Sequence, residues 1–304
     1  MRIGIMGEPW EARLEDMRRD VALLQASGGA TYWLTQVWRY DALTLIPTLA
    51  REAPDVEFAS GVVASYLRHP MTLASQALTT SALTGGRFTL GLGLMHKPLI
   101  EGMFEMSYDK PARHMREYLD ILLPLLAQEE VSVSGTTVSY HGGMDVPDAD
   151  GCAVMLAALG PQMLKLCGSR TDGTITWMTG PETLRDTVLP ALRAAADGAG
   201  RKPPRLAALV PVIVTDDERA ARERAAQKYA VYAEMPSYRA MLDKGGFGGP
   251  EDYALIGSEE RVREQIAAYE AAGVTDFGVQ IGGEHETRAR TADFVAALAR
   301  EYAA

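Results

Sequence analysis

LTGGRFTLGLG, Leu83–Gly93, reads as a glycine turn feeding an apolar strand that ends in two more glycines. Gly85 and Gly86 can take positive φ at no steric cost, Phe88, Leu90 and Leu92 give the strand its body, and Gly91 and Gly93 leave its exit open to close approach. Gly91 and Gly93 also begin a G-x-G. The third glycine of a dinucleotide fingerprint would fall at His96, however, and Pro98 stands where the helix should start. A Rossmann cradle is therefore disfavoured, and the stretch reads as one strand of a larger repeat.

Outward from it, short apolar runs alternate with longer helical patterns, the signature of repeated βα units. Strands are expected at Ile3–Met6, Thr31–Leu34, Glu57–Val63, Phe88–Leu92, Val154–Ala158, Gly173–Trp177, Leu206–Val214 and Thr275–Gln280. Helices are expected at Leu14–Ala26, Asp41–Glu52, Met71–Leu83, Pro111–Gln128, Pro161–Ser169, Pro181–Ala199, Asp216–Tyr232, Glu259–Ala272 and Glu286–Tyr302. Pro111, Pro161 and Pro181 suit a first helical turn, Asp216 and Asp217 oppose a helix N-terminal dipole, and Gly273 sits just past a helix end. Eight strands with intervening helices predict an α/β fold, a (β/α)8 TIM barrel forming one domain over residues 1–304, with its functional residues at the C-terminal ends of the strands. Between strands four and five, Val131–Ser134 and Thr137–Tyr140 read as a small inserted hairpin.

Composition narrows the function. With 47% hydrophobic residues and a formal net charge of -10, the chain has no basic stripe for nucleic acid or an anionic membrane surface. Cys152 and Cys167 lack metal-ligand spacing and read as buried thiols, so no metal is expected. The chain opens directly on MRIGIM, and no run approaches the ~20 apolar residues of a membrane span. The expectation is a cytoplasmic protein that acts on a small molecule.

Four ordered motifs resemble the luciferase-like monooxygenase superfamily, and within it the oxidoreductases that use the deazaflavin coenzyme F420, similar to methylenetetrahydromethanopterin reductases. They are YLRHPMTLASQALT (Tyr66–Thr79), LTGGRFTLGLG, FEMSYDKPARHMREYLDIL (Phe104–Leu122) and ALGPQMLKLCGSRTDGTITW (Ala158–Trp177). The resemblance implies F420 in the barrel mouth, with FMN as the alternative cofactor, and a homodimer. It places the cofactor phosphate at Ala158, Leu159, Gly160, Pro161 and Gln162, where a glycine before a helix-starting proline offers free N–H groups to an anion. It also implies a non-prolyl cis peptide at Gly61 and Val62 behind the ring, with Gly91 and Gly93 keeping the mouth open beneath it. Gln36 is expected to hydrogen-bond the ring or the substrate, and Trp177, Met178 and Thr179 to lie near the cofactor's ring or ribityl chain.

Because a deazaflavin carries the hydride chemistry itself, the protein's tasks are to stack the ring, exclude water and manage a proton. His96 occupies a position where relatives often carry an acid facing the substrate, and its imidazole can titrate near neutrality. Glu8 is the second candidate, since Met6 stands where some reductase relatives have Glu. Relatives often show Asp-His after strand two, whereas this chain has Thr35, Gln36 and Val37, so a mechanism using that histidine as base is not expected. The readings implied are an F420-dependent reductase, an FMN-dependent monooxygenase, and a cofactor-binding subunit without catalysis. His69 is expected to anchor its loop, His114 to lie on a helix face, and the glycines around Phe247 to form a surface loop or lid.

Overall fold

The computed structural model describes residues 1–36 and 38–303; Val37 lies outside them. Eight parallel strands close into a barrel: β1 (Arg2–Met6), β2 (Thr31–Leu34), β3 (Glu57–Ser60), β4 (Phe88–Gly93), β5 (Ala153–Ala157), β6 (Gly173–Thr176), β7 (Arg205–Val214) and β8 (Asp276–Ile281). Each strand pairs with the next, and β8 returns to β1 in the register Arg2↔Asp276 through Ile5↔Val279. The strands are buried on both faces, as a barrel wrapped in helices demands, so they read in the sequence as continuous apolar runs.

The expected elements stand within a residue or two of their predicted ends, with informative exceptions. The predicted strand Glu57–Val63 stops at Ser60, is interrupted by the cis Gly61–Val62 peptide, and resumes as Val63–Ala64 beside Leu92–Gly93. The hairpin pairs Val131–Ser134 with Ser139–Gly142 across a longer turn than expected, because Glu117 Oε2 accepts both the Thr137 amide and its hydroxyl at 2.7 Å. A helix does begin at Lys97, with Pro98 in its first turn, where a missing N–H costs nothing. The exclusion of a Rossmann fold thus rests on barrel closure and not on Pro98. Two further helices, Pro236–Lys244 and Pro250–Tyr253, flank the glycines around Phe247, which form a loop between them as expected. Phe247 is wedged over Gly180 and Gly245, and Arg239 donates to the carbonyls of Phe247 and Gly248.

Most of the core lies between strands and helices, and a second, smaller core fills the barrel itself. There Trp33, Ala59, Met155, Ile175, Ala207 and Leu209 interdigitate, with Met6, and Val62 and Trp177 packed at the edge. The N-terminal end is plugged by charge: Arg205 pairs with Glu57 at 3.0 Å and Asp276 at 2.7 Å, Arg2 pairs with both acids, and Thr89 donates to Glu57 at 2.5 Å. No helix among the described residues is long and apolar enough to cross a membrane.

Candidate active site

The two ends of the barrel differ in how they treat polar groups. At the N-terminal end every carboxylate of the plug meets a guanidinium or hydroxyl. At the C-terminal end, Thr35 Oγ1 just beyond β2, Trp177 Nε1 just beyond β6 and Gln280 Nε2 on β8 are buried with no partner among the described residues. One layer deeper, Trp33 Nε1 is unpaired as well. Leaving such a group unsatisfied costs about 1–3 kcal/mol, so their concentration at one end marks a place that a ligand completes.

The excursion between β7 and β8 builds a roof beside these groups. Helix Glu218–Ala233 starts on an Asp217 cap, whose carboxylate accepts from the Ala220 amide at 3.1 Å, and it is followed directly by Pro236–Lys244. Tyr229, Tyr232 and Tyr253 set their rings edge-on to Trp177 at centroid distances of 6.0, 5.7 and 5.8 Å. Tyr232 in turn meets Tyr238 at 5.4 Å, and Tyr238 meets His96 at 5.1 Å. The same helix sends Lys228 to Glu8 at 3.3 Å, so one helix pair touches the loops after β1, β4 and β6. Such edge-to-face contacts each add about 0.5–1.5 kcal/mol beyond buried area and exclude water.

His96 ends the β4 loop at the N-cap position of Lys97–Phe104, yet its ring makes no capping bond. Burial holds its pKa below the ordinary histidine value of 6.5, leaving it a neutral imidazole at neutral pH. Lys97 pairs loosely with Glu101 at 3.7 Å. Gly160 caps Pro161–Arg170 without any side-chain cap bond, and a Cβ placed on it would meet nothing within 4 Å. Gly160, Pro161 and Gln162 are exposed and Leu159 partly so, leaving the helix's first N–H groups open to an anion. Gly61 and Val62 are half-exposed at the mouth, and the cis peptide implied by the resemblance is present there.

Several expected site residues have other work. Glu8 Oε2 accepts the backbone N–H groups of Trp10, Glu11 and Ala12, and Oε1 faces Lys228. Glu8 thus anchors the β1 loop through Oε2, while Oε1 is buried beside Lys228 without a hydrogen-bond partner among the described residues. Gln36 Oε1 accepts from the Ala42 amide at 3.1 Å and Arg68 at 3.3 Å, which spends its carbonyl on the start of helix Ala42–Ala50. Gly91 and Gly93 do not open the mouth. A Cβ on Gly91 would be driven into the Ser60 carbonyl oxygen, and one on Gly93 would stand 2.7 Å from Val62 Cγ2. Ala158, Met178 and Thr179 are fully buried, and Thr179 Oγ1 donates to the Trp177 carbonyl at 3.1 Å. Trp177 keeps its place at the mouth, half-buried.

His69 anchors its loop as expected, its Nδ1 accepting from the Met71 amide at 3.2 Å at the start of helix Pro70–Leu83. His114, expected on a helix face, is buried, with Nε2 3.2 Å from Ser65 Oγ. Its ring stacks on Tyr66 at 4.1 Å, and Tyr66 stacks on Tyr108 at 5.2 Å. Burial pushes the Tyr66 hydroxyl up to about 12, and its oxygen has no partner among the described residues. Sequence reasoning missed Tyr66, Tyr229, Tyr238 and Gln280. The tyrosine spacing on Glu218–Ala233, Tyr229 and Tyr232 three apart on one helical face, was the available signal; Gln280, a polar residue in an apolar strand, was the other.

The chain matches the family model described as luciferase-like monooxygenase over residues 2–276. It is 25% identical to a putative coenzyme F420-dependent oxidoreductase of Mycobacterium tuberculosis, over 95% of this chain and 97% of that one. Its fold superposes on the coenzyme F420-dependent tetrahydromethanopterin reductase of Methanopyrus kandleri with a TM-score of 0.80 at 18% identity, covering 97% of this chain and 98% of that one. It also superposes on the oxygenating constituent of the 3,6-diketocamphane monooxygenase of Pseudomonas putida, a structure in complex with FMN, with a TM-score of 0.77 at 18% identity over 100% and 98% of the two chains. With an eight-stranded parallel barrel whose unspent polar groups gather at the strand C-termini, and a family match over nearly the whole sequence, the chain belongs to the luciferase-like monooxygenase family.

Proposed function

We propose that the chain is an F420-dependent oxidoreductase that reduces an electron-poor C=N, C=C or C=O bond of a small organic substrate. The observation that carries this reading is the contrast between a fully paired barrel floor and a mouth that holds the unpaired Thr35, Trp177 and Gln280. The residues present fit a flavin-type group: an open helix N-terminus at Gly160 for its phosphate, and the half-exposed cis Gly61–Val62 peptide at the mouth for its ring. F420 is preferred over FMN because a relative that aligns over 95% of the chain carries that cofactor in its name.

Bound F420 would supply a hydride from C5. In this reading the turn of Leu159, Gly160, Pro161 and Gln162 holds the cofactor's phosphate, Gly61 and Val62 back its ring, and the roof of Tyr229, Tyr232 and Tyr238 keeps water out. His96 delivers the proton to the substrate from a ring nitrogen. By the same resemblance the protein works as a cytoplasmic homodimer. Titrating the purified protein separately with F420 and FMN, followed by absorbance and fluorescence, tests the reading: saturable F420 binding is expected. Tight FMN binding with oxygen consumption and no F420 binding would overturn it in favour of the monooxygenase.

A further inference from the structure

We infer that Gln280 and Trp177 form a two-donor site for a carbonyl oxygen of the substrate. Both groups are left over when the hydrogen bonds among the described residues are counted, and both are donors. Gln280 is 2% exposed, so its amide has lost water on every side. The Tyr229 hydroxyl donates to Gln280 Oε1 at 2.6 Å. That length belongs to an O–H···O bond and is short for an N–H···O bond, so the amide oxygen faces Tyr229 and Nε2 is the atom left without a partner. An indole nitrogen donates and cannot accept, so Trp177 Nε1 is likewise an unspent donor.

Tyr229 ties the pair together. Its hydroxyl orients the Gln280 amide, and its ring packs against the Trp177 indole at 6.0 Å. Tyr253, which donates to the Leu209 carbonyl at 2.6 Å, supports the indole from another side. Held this way, both donors point away from any acceptor among the described residues, and a ligand from outside the chain would satisfy them. Two neutral donors, with the Glu8 carboxylate near enough to act on Tyr229, suit a neutral acceptor, a ketone, enone, ester or amide oxygen, better than a carboxylate or phosphate. Such donors also strengthen as negative charge gathers on the oxygen during reduction.

The placement separates this site from the cofactor's. The Gly160 turn follows β5 and the Gly61–Val62 peptide follows β3, whereas Trp177 and Gln280 belong to β6 and β8. The inference rests on the reading that a flavin-type cofactor occupies the β3 to β5 side, and it narrows that reading's substrates to carbonyl compounds.

The test uses the four tryptophan indole resonances of 15N-labelled protein, with Trp177 assigned through Trp177→Phe. Protein saturated with oxidised F420 is titrated with cyclohex-2-enone and, as the control without an acceptor, cyclohexene. The enone is expected to move the Trp177 indole proton downfield in a saturable way, and cyclohexene is not. Gln280→Leu should weaken enone binding at least tenfold while the F420 affinity stays within about twofold, and Tyr229→Phe, which keeps the ring and loses the orienting hydroxyl, should weaken it severalfold. A Trp177 signal that responds to the cofactor alone and ignores the enone overturns the inference, as does unaltered enone binding in both variants. Failure to bind F420 counts against the proposed cofactor instead. The enone series is then run on FMN-loaded protein, where the same two outcomes decide the donor pair.

Discussion

Val62 occupies the space that a side chain at Gly93 would need: a Cβ built on Gly93 stands 2.7 Å from Val62 Cγ2 and 3.4 Å from Ala157 Cβ. Two residues earlier, the obstacle at Gly91 is the Ser60 backbone carbonyl, which also accepts no compromise from its neighbour, since Ser60 Oγ is bonded to both the Gly91 amide and its carbonyl at 2.9 Å. A valine methyl can swing away, whereas a strand carbonyl cannot. Gly93→Ala is therefore expected to fold with a loss of about 1 kcal/mol and a displaced Val62, and Gly91→Ala to lose about 3 kcal/mol or more. Urea unfolding of the two variants checks the ranking; equal losses would contradict it.

The plug at the barrel floor makes a second prediction. Burial works against ionising Glu57, but the charges of Arg205 and Arg2 outweigh it and hold the carboxyl below the ordinary glutamate value of 4.5. A depressed carboxylate stabilises the fold above its unfolded pKa and loses that contribution as pH falls through the folded one. Arg205→Leu leaves Glu57 and Asp276 without their main partner, at a cost of about 3–5 kcal/mol at pH 7. Because protonating Glu57 relieves the repulsion, the deficit should shrink on acidification toward pH 4. Chemical denaturation of both proteins across that range would show it; a deficit independent of pH would mean that the arginine acts by packing alone.

These two cases also show what the sequence could carry. The eight strands were legible because burial on both faces gives each an apolar run bounded by turn residues. The Gly91 and Gly93 positions were legible as places of close approach, but not what approaches: Ser60 and Val62 lie 31 positions away from them in the chain, and only closure of the barrel brings them there. Glu8 looked like a free carboxylate because nothing local announces that Trp10, Glu11 and Ala12 will turn their N–H groups onto it. Helices Lys97–Phe104 and Pro236–Lys244 were missed since each is a short element opened by proline, where a boundary signal and a breaker look alike. Gln280 and Trp177 stand out only through partners they lack, a property no sequence displays.

The Gly160 turn separates affinity for an anion from stability. Its φ of -84° and ψ of 155° are open to any residue, nothing crowds the missing Cβ, and the position is a helix N-cap. Aspartate is a preferred N-cap residue, worth only a few tenths of a kcal/mol over glycine. Gly160→Asp should thus raise the melting temperature slightly while its negative charge and its occupation of the free N–H groups weaken F420 or FMN binding by at least tenfold. Fluorescence titration at low and moderate salt provides the check. Unchanged affinity would remove this turn from the phosphate site.

His96 should reveal itself by moving activity and stability in opposite directions with pH. Burial lowers its folded pKa below 6.5, so at neutral pH the imidazole is unprotonated and the unfolded chain is the better proton binder. Folding stability from this residue is then complete above about pH 6.5 and declines as pH falls toward the folded pKa. The proposed reduction needs the protonated ring as donor, so kcat should instead rise over the same interval. His96→Gln removes the titrating group while keeping a polar side chain of similar reach. It should lower kcat about 10²-fold, flatten the acid rise, and make stability less sensitive to acid. A variant that keeps both the rate and its pH profile would assign proton delivery to another group, and would leave His96 as no more than the partner that seats Tyr238 at the edge of the roof.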